Sequence, residues 1–447
     1  MMPLPGRPRL LAVLLSLGFG CAPEPRGIIV VSLDTLRADR LGAYGSDASL
    51  TPNLDRFAGE AVIFDRAFAQ SNETVYSHAS LFTGRMPSRL APLDGDFRLP
   101  KGAATVAATL QNDGWDTAAV VAGGHLSRGF GLDRGFDIYD DGSSWGSLRE
   151  TGALALRWLD TRVGDDPFFL FVHGYDAHDR YLKPSPFGYA FADPKEQGLG
   201  AQLGRQAGGT THVAGAVHVD DVGVIEALSL TAPRFEGGRR LAQLVPDATP
   251  ISAADVAHLT ALYDGSVAWV DACFGLFMAG LDEQRLLDHV TIVVLSDHGE
   301  LLGETGQFGH RGSLDDAVTR VPLMVRPPGG APRRRVTDLV ALVDVAPTIL
   351  ALAEVPKALY GDGYSLVPAL GGGRPQARTA VVSEGALRLL SARGETGRLT
   401  AEGAGVRNPW LRALLGVTPI DGVSLRSVGD GDPEPLRAAL LSHLAGT

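Results

Sequence analysis

Five short apolar runs rich in Ile, Val and Phe punctuate the chain: Gly27 to Leu33, Thr117 to Ala122, Phe168 to His173, Val290 to Ser296 and Pro322 to Val325. Each is followed by a loop and a helical pattern, which is how buried strands of a parallel sheet read. Helical spacing fills the intervals. Thr105 to Gln111 ends near Gly114, Thr151 to Val163 is amphipathic, and Ala253 to Leu281 is apolar along most of one face. This alternation predicts an α/β fold with a sheet covered on both sides and functional groups at the carboxyl ends of its strands.

The rhythm breaks in two places. Residues 183–250 are rich in Gly, Ala, Gln and Pro and hold no period, so they read as an insertion, a lid or a substrate-selecting loop. Beyond about residue 378 the text turns Arg-rich and weakly patterned before a helix-like Pro433 to Leu444, which predicts a small C-terminal subdomain over 378–447. The start of the chain differs again. Arg7 and Arg9 precede an apolar run from Leu10 to Phe19 that ends in Gly20-Cys21. That is a signal-peptide layout over residues 1–21, well short of the roughly 20 residues of a membrane-spanning helix. Cys21 resembles a lipidation cysteine, although the place three residues before it holds Gly18. An exported protein is expected: periplasmic or membrane-anchored as a lipoprotein, with secretion as the alternative. Cys273 is the only other cysteine and is expected to pack in the core, which leaves no intrachain disulfide once Cys21 is lipidated or removed.

Composition narrows the partners. The 447 residues are 45% hydrophobic and 20% charged, the balance of a soluble globular protein. The formal net charge of −11 and the lack of a long basic run argue against nucleic acid, and an anionic polymer would not be gathered by long-range attraction. The 56 glycines and 28 prolines have no short period, as in a loop-rich enzyme rather than a repeat.

Candidate chemistry stands at the predicted strand ends. Asp34 follows the first strand, where alone it would serve equally as a helix N-cap. Asp297-His298-Gly299 follows Val290 to Ser296, two adjacent metal-compatible groups and a glycine that admits close approach. His173, Asp176 and His178 leave the third strand; His173 reads as a core histidine as readily as a functional one, and His178 is the better candidate. His310 lies between Gly309 and Arg311-Gly312. An Asp, Asp and His set suits a divalent cation such as Ca²⁺, Mn²⁺ or Zn²⁺ and does not choose among them.

Five segments in order carry a resemblance: VSLDTLRADRLGAYG at the start, Ser77 to Arg85, Ser296 to Glu300, Arg320 to Gly329 and Leu342 to Leu350. Together they are similar to the sulfatase family of the alkaline phosphatase superfamily, over about residues 27 to 385. The resemblance implies an alkaline-phosphatase-like α/β sandwich with a large central mixed sheet, helices on both faces and a small C-terminal subdomain. The catalytic domain would then span 27–377 and contain the 183–250 insertion. The family's nucleophile falls nine residues before the threonine of Thr83-Gly84-Arg85, which is Thr74. Formylglycine, the modified nucleophile of true sulfatases, is made from cysteine or serine, so Thr74 cannot become it. The signature's proline and arginine are Tyr76 and His78 here. Threonine resembles instead the phosphodiesterase, lipoteichoic-acid-synthase and phosphoethanolamine-transferase branches.

The resemblance further implies that Asp34, Thr74, Asp297 and His298 bind one divalent metal ion, with Thr74, His178 and His310 catalytic. His78, His125 and Asp176 are expected to bind substrate, His125 by matching a histidine of the family's Lys-Trp-His-Leu element without its lysine. A second ion would fall to Asp176, His178 and His310. A metal-activated Thr74 at a helix start formed by Ser77 to Phe82 is chemically coherent, since a hydroxyl is a weak nucleophile until a cation or base activates it. The expected activity is a hydrolase or transferase cleaving a phosphate ester in preference to a sulfate ester, on a small molecule, a glycan or a lipid headgroup. The alternatives are a formylglycine-independent sulfuric ester hydrolase and a non-catalytic metal-binding homologue.

Overall fold

The computed structural model describes residues 27–447 apart from 48, 92–96, 144–145, 179–180, 182, 196–209, 213–233, 237–251, 311, 357–360, 386–388, 404–422, 430–432 and 447. The expected signal peptide with Cys21 and most of the 183–250 insertion lie outside the described residues.

A nine-stranded sheet forms the centre. Its strands are β1 (Gly27–Leu33), β2 (Val62–Phe68), β3 (Asp116–Ala122), β4 (Ile138–Ser143), β5 (Phe168–Gly174), β6 (Val290–Leu295), β7 (Arg320–Val321), β8 (Leu323–Arg326) and β9 (Arg334–Ala341). The seven residues of β1 are all buried, as its unbroken apolar run requires, and β1 lies between β5 and β6, parallel to both. β5 continues to β3 and β4 in parallel. On the other side β6 pairs with β8, and β2 pairs with β7 and β8 on one edge and with β9 on the other.

One expectation is corrected. The run Pro322 to Val325 was read with the parallel strands, but β8 runs antiparallel to β6 and β2. An apolar run reports burial on both faces and not direction. The chain leaves β6 at its carboxyl end, spends residues 296–319 there, and re-enters the sheet from the same end, so β8 must point back.

Alternation along β1 divides the core. Ile29, Val31 and Leu33 face a cluster with Leu54 and Phe57 of α1 (Pro52–Ala58), Leu156 of α4 (Leu148–Thr161) and Phe274, Phe277 and Leu281 of α5 (Ala253–Glu283). Ile28 and Val30 face the opposite layer, with Leu81 of α2 (Thr74–Thr83), Leu110 of α3 (Val106–Asn112) and Ile349 of α6 (Val345–Leu352). Each such side chain contributes about 1.5–3 kcal/mol by burial. α5 starts at a capping box: Ser252 Oγ accepts the Asp255 N–H at 3.1 Å and Asp255 Oδ2 accepts the Ser252 N–H at 3.1 Å. The first described part of the insertion rests on this helix, with the Phe187 ring 5.3 Å from that of Trp269. Gly265 permits that approach, since a Cβ there would stand 2.3 Å from the Phe187 carbonyl oxygen.

A second, antiparallel sheet follows, β10 (Val381–Gly385), β11 (Leu389–Arg393), β12 (Gly397–Gly403) and β13 (Val423–Gly429), in that order. Leu436 and Leu440 of α7 (Glu434–Gly446) pack on Leu390, Ala392 and Leu399 of it. It joins the main body where β2 ends: the Glu384 N–H donates to the Gln70 carbonyl at 2.8 Å and Ser383 Oγ to the Ala69 carbonyl at 2.6 Å. Among the described residues no helix is long and apolar enough to cross a membrane.

Candidate active site

The carboxyl ends of β1, β5 and β6 and the exit of β2 converge on one buried place. The parallel register fixes the first pair of ends, because the Asp34 N–H donates to the Gly174 carbonyl at 2.9 Å. Asp34 is therefore not a helix cap. It is followed by Thr35 in the left-handed region (φ 53°), a rare conformation for a β-branched residue. The turn directs the Thr35 N–H to Asp297 Oδ1 at 3.3 Å, beyond the end of β6.

Asp34, Asp297 and His298 are buried and bring three ligand atoms within 4.8 Å of one another. Asp34 Oδ1 and Asp297 Oδ2 accept no hydrogen bond despite their burial. His298 Nδ1 lies 3.0 Å from the Gly299 carbonyl, so it donates there and its Nε2 keeps a lone pair. Two carboxylate oxygens, desolvated and unclaimed by donors, with the His298 imidazole nitrogen beside them, fit a hard or borderline divalent cation.

The charge state agrees. Burial alone would push the Asp34 carboxyl up, but the His173 hydrogen bond at 3.1 Å and the nearby His178 and His298 imidazoles outweigh it and hold the group well below the usual carboxylate range. His173 is thus a support for Asp34.

Thr74 is the first residue of α2, a full turn earlier than the helix start expected at Ser77. Its Oγ1 lies 3.4 Å from Asp34 Oδ2 and 3.3 Å from His298 Nε2. The position combines the acidic cluster with the positive dipole end of a helix. Ser77 Oγ donates to the Asp297 carbonyl at 2.7 Å and locks α2 to the end of β6.

His310 completes one wall. Its ring centroid is 4.4 Å from that of His298 and 5.3 Å from that of His178, which in turn stacks on Tyr175 at 4.3 Å. His310 Nδ1 donates to the Asn72 carbonyl at 2.6 Å, leaving Nε2 as an acceptor. Burial, with the His298 and His178 imidazoles beside it, drives the His310 pKa well below the usual histidine value. Asn72 Nδ2 in turn donates to the carbonyls of His310 at 2.9 Å and Ser313 at 3.0 Å, clamping that loop.

Two of the three residues expected to bind substrate, His78 and Asp176, point away from the site. His78 lies beneath Thr74, fully buried, with Nδ1 donating to the Thr74 carbonyl at 2.8 Å and Nε2 accepting from Ser32 Oγ at 2.9 Å. Burial lowers its pKa to about 4, so a neutral ring supports the helix start with no nitrogen left for a substrate. Asp176 turns inward, Oδ2 accepting the Leu148 N–H at 2.6 Å and Oδ1 the Trp269 Nε1–H at 2.7 Å. Burial pushes its carboxyl up against the pull of those donors and of Lys183. His125 sits half-buried on the turn Gly124–Leu126 after β3, its ring 6.3 Å from that of Phe130. The expected second ion site is not assembled: among the described residues, Asp34, Asp297 and His298 form the single group with three close ligand atoms. Sequence reasoning missed Asn72, Ser77 and Tyr263, whose polar atoms shape the site; Ser77 opens one of the five segments without having been given a role, and Asn72 and Tyr263 lie outside all of them.

Comparison with known proteins bears on the family and the fold. Iduronate 2-sulfatase of Mus musculus is 26% identical over 404 residues, 75% of this chain and 70% of that protein. Arylsulfatase K of Gallus gallus is 38% identical over 116 residues, 26% of this chain, so the match spans 22% of that relative's length. The phosphonate monoester hydrolase of Agrobacterium radiobacter shares the fold, with a TM-score of 0.67 at 20% identity, covering 94% of this chain and 95% of that one. Residues 26–355, which supply every strand of the central sheet and each side chain of the buried cluster, match the Sulfatase family, and the chain belongs to that family.

Proposed function

We propose that this protein is an exported, metal-dependent ester hydrolase or transferase that cleaves a phosphate ester, in preference to a sulfate ester, through Thr74. The carrying observation is the Thr74 hydroxyl at the start of α2, 3.4 Å from Asp34 Oδ2 and 3.3 Å from His298 Nε2. Asp34, Asp297 and His298 would hold one divalent cation, with Thr74 at its edge. When bound, such an ion lowers the pKa of a nearby hydroxyl and offsets negative charge on the transferring group.

Thr74 Oγ1 gives up its proton to solvent and attacks the phosphorus in line; the bond to Thr74 forms as the bond to the leaving oxygen breaks, and Oγ1 is reprotonated when the adduct is released. The N-terminus of α2 stabilises the anionic transferring group. His178 gives a proton to the departing oxygen. His310, neutral and with a free Nε2 lone pair, suits the reverse task and takes a proton from the water or alcohol that releases the Thr74 adduct. Phosphorus is preferred because threonine cannot become the formylglycine of sulfate-cleaving relatives. The substrate is a small-molecule or glycan ester, with a lipid headgroup as the membrane-side variant of the same chemistry. An N-terminal signal, with lipidation at Cys21, accounts for export to the periplasm or cell surface.

Hydrolysis of matched aryl sulfate, phosphate monoester and phosphate diester with Mn²⁺, Zn²⁺ or Ca²⁺ tests this reading, with Thr74→Ala as control. Phosphate ester turnover that falls at least about a thousandfold in the variant is expected for loss of a nucleophile. Sulfate turnover, or activity that survives in Thr74→Ala, overturns it.

A further inference from the structure

The Asp34 turn is held from behind by a residue outside every motif. Tyr263, in the middle of α5, is fully buried, and its hydroxyl donates to the Thr35 carbonyl at 2.8 Å while accepting the Arg37 N–H at 3.0 Å. The two bonds bracket Leu36 and so pin the C-terminal side of Thr35, the β-branched residue at φ 53°. Such a conformation persists only where its surroundings over-determine it. The ring is fixed too, edge-on to Tyr181 with centroids 5.3 Å apart. Burial raises the phenol pKa, so the hydroxyl keeps its proton and remains a donor. On the N-terminal side of the same residue, the Thr35 N–H meets Asp297 Oδ1 at 3.3 Å. One left-handed residue thus sets Asp34 against Asp297, and one tyrosine hydroxyl holds that residue's shape.

We infer that Tyr263 is a positioning residue whose hydroxyl fixes the Asp34–Arg37 turn and thereby sets the affinity of Asp34, Asp297 and His298 for a divalent cation. The inference rests on the reading that this cluster holds a cation. Residues supporting metal ligands typically change affinity by about 10- to 100-fold when lost.

The test is calorimetric titration of Mn²⁺ into metal-free protein, comparing wild type, Tyr263→Phe and Tyr44→Phe. Tyr44 is a matched control, because its buried hydroxyl makes the same double bond to one strand residue, donating to the Leu323 carbonyl at 3.0 Å and accepting the Leu323 N–H at 2.8 Å. Tyr263→Phe is expected to weaken Mn²⁺ binding about 10-fold, while Tyr44→Phe lowers the unfolding temperature comparably and leaves affinity within about 2-fold. Wild-type affinity in Tyr263→Phe, or equal weakening in both variants, overturns the inference. Absence of binding by wild-type protein overturns the cation reading and the inference with it, which separates the two failures. Should Tyr263→Phe be too unstable under the titration conditions, all three proteins are titrated at low temperature with a stabilising osmolyte; unchanged affinity there overturns the inference equally.

Discussion

Asp176 distinguishes a structural carboxylate from a chemical one. Its two oxygens accept the Leu148 N–H at 2.6 Å and the Trp269 Nε1–H at 2.7 Å, both buried. Hydrogen bonds to a charged acceptor contribute about 1.5–3 kcal/mol each. Leu148 opens α4, so the carboxylate also faces a helix N-terminus, worth up to about 2 kcal/mol when partly buried. Burial of the charge, which pushes the carboxyl up, offsets part of this sum. Asp176→Ala should therefore lose about 4 kcal/mol, a large share of the roughly 5–15 kcal/mol by which proteins are stable. Asp176→Asn keeps one acceptor and turns an amide N–H towards the other donor, for a loss of about 2 kcal/mol. Urea unfolding reads the change as a lower midpoint at constant slope. Turnover per folded molecule, measured far below the transition, should keep its KM. Unchanged stability with a KM raised about tenfold or more would refute the argument and return Asp176 to the substrate site.

Three further outcomes follow from contacts described above. Asn72→Ala removes the donor to the His310 and Ser313 carbonyls and should lower kcat on the order of 10-fold with KM little changed, read by steady-state kinetics on a phosphate ester. Gly265→Ala forces a methyl to 2.3 Å from the Phe187 oxygen and should cost about 1–3 kcal/mol, with faster proteolysis between residues 183 and 195, despite the gain in helix propensity. Cys273 is buried with its thiol pKa driven well up by burial, so peptide mapping at pH 8 should find it unlabelled by iodoacetamide until the protein is unfolded.

Strands buried on both faces announce themselves in sequence as unbroken apolar runs, which is why β1, β3, β5 and β6 were legible. β2 was not, because Asp65 and Arg66 interrupt it. Those two residues are half-buried in a strand next to the edge, where Asp65 pairs with Arg335 and Arg66 donates to the Gly394 carbonyl at 3.0 Å. β9, with Arg334, Arg335 and Asp338 in its eight residues, is an edge strand and reads as a loop. The chemistry behaves similarly. Asp34, Thr74, Asp297, His298 and His310 come together because each sits where a buried element ends, and the sequence shows such ends. His78 and Asp176 have the right residue types but point under the site, and nothing in the local pattern reports which way a side chain leaves its turn. Tyr263 and Asn72 act through one hydroxyl and one amide that only the packed structure brings into register.

The placement of β1 between β5 and β6 also governs how the protein can be made. Thr35 and Asp297, which touch, are 262 residues apart in the chain, and β1 lacks its second neighbour until residues 290–295 exist. Loop closure of that size is slow, and until it occurs one edge of β1 leaves its backbone N–H and C=O groups unpaired. A nascent or truncated chain ending before residue 290 therefore carries Thr74 and Asp34 beside an open strand edge, prone to pair with other chains until synthesis passes the far half of the site.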